Sequence, residues 1–256
     1  MHLTRLGRLA PASRNIHRNS MEPGVIKIHL INESKTVTSA QTKDLATGLT
    51  VYGGIVAQAW GLDQVHVSTG TFPGSWEFHI VDEFPAGAPS GALGYHDLVG
   101  DKVVAYISTE LTMGHNATIA PPSPFGTIIP AIPAVGTLPA QPEQLLPQSL
   151  AEVLTHELAE ALVDPFVNRY AFDEAAQQMW MVEVGDHADA YRFKLTFGLR
   201  RVSMICQDFT LPSFYDNEGV APFSHTGQVS ARFTVDKGCY AYKIAAGAAS
   251  SVGNDK

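Results

Sequence analysis

Apolar and polar residues alternate over Val25-Ile26-Lys27-Ile28-His29-Leu30-Ile31, which predicts a first strand within residues 21–32. Leu45, Leu49, Val51, Ile55, Val56 and Ala59 recur more widely and predict a helix over 44–60, despite Gly53-Gly54. Short alternating runs follow at 65–67 and 76–81, separated by Gly70 and Pro73-Gly74, and a strand pair at 91–98 and 102–108 brackets Val99-Gly100-Asp101. Leu150, Val153, Leu154, Leu158, Ala161 and Leu162 then form a helical stripe. Ser149-x-x-Glu152 supplies a capping box at its start, and Asp164-Pro165 ends it because the residue before proline is pushed out of the α region. Further strands are expected near 191–197, 202–209 and 229–235, with ordered loops at 211–216 and 222–225. The pattern predicts an α+β domain over 21–243. It has a mixed β-sheet, a helix in its N-terminal half and a central helix, with a flexible tail over 244–256.

Residues 121–147 break every periodicity. They hold eight of the sixteen prolines and a single charge, Glu143, so regular helix and central strand are excluded. The expectation is an extended loop packed along the body; the functional alternative is a lid or a docking arm for a larger assembly, with His115 near its start as a lid residue.

Composition narrows the function classes. The 256 residues are 45% hydrophobic and 16% charged, an ordinary globular balance, and no apolar run reaches membrane-spanning length. A net charge of −8 argues against a nucleic-acid partner. Residues 1–20 carry Arg5, Arg8, Arg14 and Arg18 and no acid, which reads as a disordered basic tail or an upstream start before Met21, with a transit peptide as the alternative. They lack the apolar core of a secretory signal, so a soluble protein is expected. Cys206 and Cys239 are too few for a disulfide framework and read as buried thiols.

The candidate chemistry lies on the central helix. In His156-Glu157-x-x-Glu160, His156 and Glu160 are four apart and share a helix face, so both can point at one ion, while Glu157 stands beside them to polarise a water. A third ligand must come from elsewhere. Glu183 can return on the next element, Asp186 can hold His156 from behind, and Asp164 competes as a ligand two helical steps of four beyond His156. A solvated helix face carrying a His–Glu contact is the bland alternative. His225 in its loop could stabilise an oxyanion and Tyr215 has similar standing, whereas Tyr95-His96-Asp97 reads as a turn with local hydrogen bonds.

His156-Glu157-x-x-Glu160 followed by Trp180-x-x-Glu183-Val184-Gly185-Asp186 resembles the zincin metallopeptidases, most closely the thermolysin-like gluzincin branch, over roughly residues 149–190. The motif pair is also similar to bacterial and phage proteins of unassigned function in which such a helix ends in Asp-Pro. The gluzincin resemblance implies a zincin-like fold, His156, Glu160 and Glu183 as metal ligands, Glu157 as general base, Asp186 behind the ligands and strand 102–108 as the edge that aligns a peptide. It implies Zn²⁺ and a peptide or protein substrate. Glu160 stands where the family has its second histidine. That makes the site harder and more anionic, opens it to Mn²⁺, Fe²⁺ or Ca²⁺, and makes a bound water less acidic. Two expectations follow: a metal-dependent peptide hydrolase, and a non-catalytic structural or binding protein whose metal pins the helix while 121–147 docks an assembly partner.

Overall fold

The computed structural model describes residues 24–113, 123–134, 139–245 and 248–253. Its main sheet is mixed: β1 (Val25–Asn32), β2 (Gln64–Ser68), β3 (Trp76–Val81) and β5 (Lys102–Ser108) run parallel, and β4 (Gly94–Val99) runs antiparallel at one edge. The strand order is β2-β1-β3-β5-β4. The strand 102–108, expected at the edge, is therefore an inner strand, and β4 takes that place. The β4–β5 connection is a tight hairpin around Gly100, whose positive φ of 66° suits glycine.

One face of the sheet is apolar because alternate residues project inward. Ile28, Leu30, Val65, Val67, Phe78, Ile80, Val103, Ala105 and Ile107 form this buried row. Against it lies α1 (Ser39–Trp60), which starts earlier than its apolar spacing indicates because Thr38 and Gln41 make a reciprocal capping box. Gly53 is explained by close approach: a Cβ there would meet Val65 Cγ1 at 2.8 Å.

The second helix over the core is α3 (Leu150–Val163), reached after α2 (Thr109–Met113) and the short pair β6 (Ile128–Ile129) and β7 (Gln144–Leu145). Its capping box is formed as expected, with Glu152 N–H donating to Ser149 Oγ at 3.2 Å and Ser149 N–H donating to Glu152 at 3.4 Å. Its apolar stripe predicts one buried face, with His156 and Glu160 on an open one. Instead every α3 residue except His156 is buried, enclosed by α1, β4, β5 and a later strand, β11 (Val202–Gln207).

The rest of the chain closes around α3. A hairpin of β8 (Tyr170–Asp173) and β9 (Gln178–Met181) extends into an antiparallel sheet of order β13-β12-β9-β8, with β12 (Tyr240–Ala245) and β13 (Ala248–Gly253). A separate hairpin joins β10 (Arg192–Phe197) and β11 (Val202–Gln207). Two expectations are corrected. Residues 229–235 form turns rather than a strand, because Asp236 gathers Ser230 and Tyr191 into a hydrogen-bonded loop. Residues 248–253 pair with β12 and are not a frayed tail.

In the described parts of the proline-rich segment, its base is tied to the body. Ile205 N–H donates to Phe125 O at 2.8 Å, Ala151 N–H donates to Pro124 O at 2.9 Å, and Lys194 pairs with Glu143 at 2.6 Å. The arms fold back on each other through β6, β7 and a bridge between Ile132 and Gln141. His115 and the basic N-terminal stretch lie outside the described residues. Both cysteines are buried and unpaired. Among the described residues no helix is long and apolar enough to cross a membrane.

Removing the α3 cap tests how far this helix depends on its first turn. Ser149→Ala is expected to lower stability by about 1 kcal/mol, read from the urea midpoint; an unchanged midpoint would show that burial alone holds the helix end.

Candidate metal centre

Three stretches of chain meet at the middle of α3. The helix supplies His156, Glu157 and Glu160. The turn Asp186–Ala188 that follows β9 supplies Asp186, and the edge strand β4 supplies His96. The β4 register sets Gly94, His96 and Leu98 opposite Ile107, Ala105 and Val103, the inward row of β5, so the His96 ring projects toward α3.

His156 Nε2 stands 3.3 Å from Glu160 Oε1 and 3.4 Å from Asp186 Oδ1. Both distances exceed the roughly 2.9–3.0 Å typical of an N–H···O hydrogen bond. They match the spacing of ligands on a tetrahedral ion, where bonds of about 2.0–2.1 Å place ligand atoms roughly 3.3–3.4 Å apart. Asp186 N–H also donates to Glu160 Oε1 at 3.3 Å, which locks the turn to the helix. On the other side, His96 Nδ1 lies 3.1 Å from Glu157 Oε2 and 3.9 Å from Glu160 Oε2.

Backbone contacts explain why the turn holds this position. Gln207 at the end of β11 donates to Ala188 O at 2.9 Å, while its own N–H donates to Thr155 Oγ1 of α3, also at 2.9 Å. Thr210 N–H donates to Val184 O at 2.9 Å and the Tyr215 hydroxyl donates to Glu183 O at 3.3 Å. Gly185 lies directly under the His156 ring: a Cβ there would stand 2.7 Å from Nδ1. Its φ of −77° and ψ of −44° are open to any residue, so closeness and not backbone freedom calls for glycine. Gly94 plays the same part beneath Glu157, where a Cβ would fall 3.0 Å from Oε1.

The electrostatics follow from burial. The side chains of His96, Glu157, Glu160 and Asp186 are only 4–6% exposed, and His156 is 12% exposed. Burial raises the Glu160 pKa to about 7, partly opposed by His156 and reinforced by Asp186. For His156, burial alone would favour the neutral ring, yet the charges of Glu160 and Asp186 prevail and raise its pKa well above the usual value. His96 shows the same contest, with burial overcome by Glu157 and Glu160. Tyr240, at the start of β12, has its hydroxyl pKa raised by burial and then by the charges of Asp186 and Glu160.

Not every residue singled out in the sequence joins this centre. His156, Glu157, Glu160 and Asp186 come together. Glu183 belongs to neither group of close ligand atoms. Its Oε2 is buried without a hydrogen-bond partner, and burial followed by repulsion from Glu160 and Asp186 raises its pKa well above the usual value. Asp164 is also outside both groups, its carboxylate accepting the N–H groups of Asn168 (3.1 Å) and Arg169 (2.7 Å) beyond the helix end. His225 is exposed and stacked on Phe209 at 5.2 Å, tilted against Phe193 at 5.0 Å, and joins neither group. Tyr215 buttresses the Glu183 backbone. His96, read in the sequence as part of a turn, is the residue that reading passed over. Its inward direction is set by the pairing of β4 with β5 and carries no local signal in the sequence. No family model, no curated protein and no solved structure matches the chain.

Two measurements probe the setting. Gly185→Ala is expected to lose about 1–3 kcal/mol of stability by overpacking His156, read by chemical denaturation; full stability would mean that the ring has room to move. His187, next to Asp186, is packed among Trp180, Phe214 and Tyr215, and burial pushes its pKa down to about 4. The unfolded chain takes up a proton below about 6.5 while the folded ring stays neutral to about 4. This contribution is therefore full above the unfolded value and is lost as the pH falls toward the folded one. The stability difference between wild type and His187→Leu should shrink by about 3 kcal/mol from neutral to acid. A pH-independent difference would show that the ring protonates freely.

Proposed function

We propose that this protein is a divalent-metal-dependent hydrolase of zincin-like architecture acting on peptide bonds, with His156, Glu160 and Asp186 as its metal ligands. The observation that carries the reading is the spacing of 3.3 and 3.4 Å from His156 Nε2 to two carboxylate oxygens of different elements. Asp186 replaces Glu183 as the third ligand, which leaves one imidazole and two carboxylates. Such a set accepts Zn²⁺ and also harder ions such as Mn²⁺, Fe²⁺ or Ca²⁺.

A bound ion would supply Lewis acidity to a scissile carbonyl. The chain supplies the rest. Glu157, next to the ligands on α3, would take a proton from the attacking water and deliver it to the leaving amine. Strand β4 at the sheet edge would offer its outer side to an extended peptide. Burial and the neighbouring carboxylates disfavour a further charge on Glu183 beside the ligands, raising its pKa.

One observation favours a second reading. Ligand side chains only 4–12% exposed suit a structural ion that pins the Asp186 turn to α3, with the proline-rich segment docking a partner in a larger assembly. Elemental analysis of the untagged protein and of variants separates these readings. About one equivalent of a divalent metal is expected, lost in His156→Ala and Asp186→Ala and kept in Glu183→Ala. Glu157→Gln should keep the metal and abolish hydrolysis of a peptide library. Metal without hydrolysis in the wild type would select the structural reading, and loss of metal only in Glu183→Ala would overturn the ligand assignment.

A further inference from the structure

The carboxylate of Glu160 faces two ways. Oε1 belongs with His156 and Asp186, and Oε2 belongs with His96 and Glu157. These residues do not converge on one point. They form two groups of three potential ligand atoms, each within 4.8 Å, that share only Glu160. Two ligands of a single ion stand at most about 4.2 Å apart when its bonds are about 2.1 Å. In the second group His96 Nδ1 lies 3.1 Å from Glu157 Oε2 and 3.9 Å from Glu160 Oε2, inside that limit.

Buried polar atoms in and beside this centre also exceed the partners available. His96 Nε2 and Glu183 Oε2 are buried with no hydrogen-bond partner. Among the described residues no lysine or arginine pairs with Glu157, Glu160, Glu183 or Asp186. Buried carboxylates and imidazoles without a fixed cationic side chain are the usual surroundings of bound cations.

We propose that the protein carries a second divalent-cation position, held by His96, Glu157 and Glu160 Oε2 and bridged to the first through the Glu160 carboxylate. It rests on the metal reading given above and adds regulation to it. Glu157 cannot ligate a cation and accept a water proton at the same time. Filling the second position therefore removes the base, and excess cation silences the hydrolase.

The test is a count of bound cations in metal-stripped, full-length protein titrated with Zn²⁺ alone. The wild type should bind about two equivalents, and His96→Ala should bind one. His96→Asn, which keeps the ring's volume more closely, serves as a second variant with the same expected loss. Mn²⁺ titration of the wild type gives a readout free of substitutions: an exchange-coupled paramagnetic resonance signal supports a bridged pair, and only isolated-ion signals at saturation overturn it. One equivalent in the wild type that is lost in His156→Ala would overturn the second position and leave the proposed function standing. No binding at all would overturn both.

Discussion

A carboxylate carried into a protein interior must find compensating charge or give up its own, and this requirement shapes the region around α3. The helix buries Glu152, Glu157 and Glu160, and the neighbouring segment adds Glu183 and Asp186. Arg192 neutralises Glu152 at 2.9 Å. For the others the nearest positive partners are imidazoles, His156 from the helix and His96 from β4. Glu183 has neither, and burial followed by repulsion from Glu160 and Asp186 raises its pKa well above the usual value. On the helix itself the problem is met in two ways, by a guanidinium for Glu152 and by imidazoles for Glu157 and Glu160.

The surrounding fold keeps those solutions in register. The main sheet sets the direction of His96, because β4 can place the ring inward only when its row aligns with Ala105 of β5. The end of β11 sets the position of Asp186, because Gln207 bonds to both α3 and the turn. Neither link is a contact between candidate ligands. They are backbone and amide bonds from residues with no chemistry of their own, which is how a site built on rigid elements holds its geometry.

Much of this could be read from the chain and some of it could not. The α3 boundaries were legible because Ser149, Glu152 and Pro165 act locally, through caps and steric exclusion. The His156–Glu160 pair was legible because helical spacing fixes it. Glu183 and Asp186 could not be separated by spacing, since three residues in an irregular segment can point anywhere, and the outcome hangs on bonds from Gln207 and Thr210 far along the chain. His96 was hidden for the same reason: its inward direction depends on a strand pairing that no local pattern specifies. The enclosure of α3 was missed because Glu152, Glu157 and Glu160 look like a solvated face in a hydropathy pattern. The strand at 248–253 was missed because its alanines, glycine and serines resemble a tail until β12 is there to pair with it.

The dispersal of the centre along the chain bears on how the protein is made. His96 emerges early from the ribosome, the α3 acids follow after the proline-rich segment, and Asp186 comes later with Gln207 later still. Domains fold as units and N-terminal regions form first during synthesis, so the main sheet can assemble while the helix that completes its core still lacks Asp186 and Gln207. Until those residues arrive, water must satisfy the α3 carboxylates, and water is what a buried helix excludes. The centre therefore cannot be complete until most of the chain exists, since the bonds that tie α3 to Asp186 and Gln207 need both residues in place.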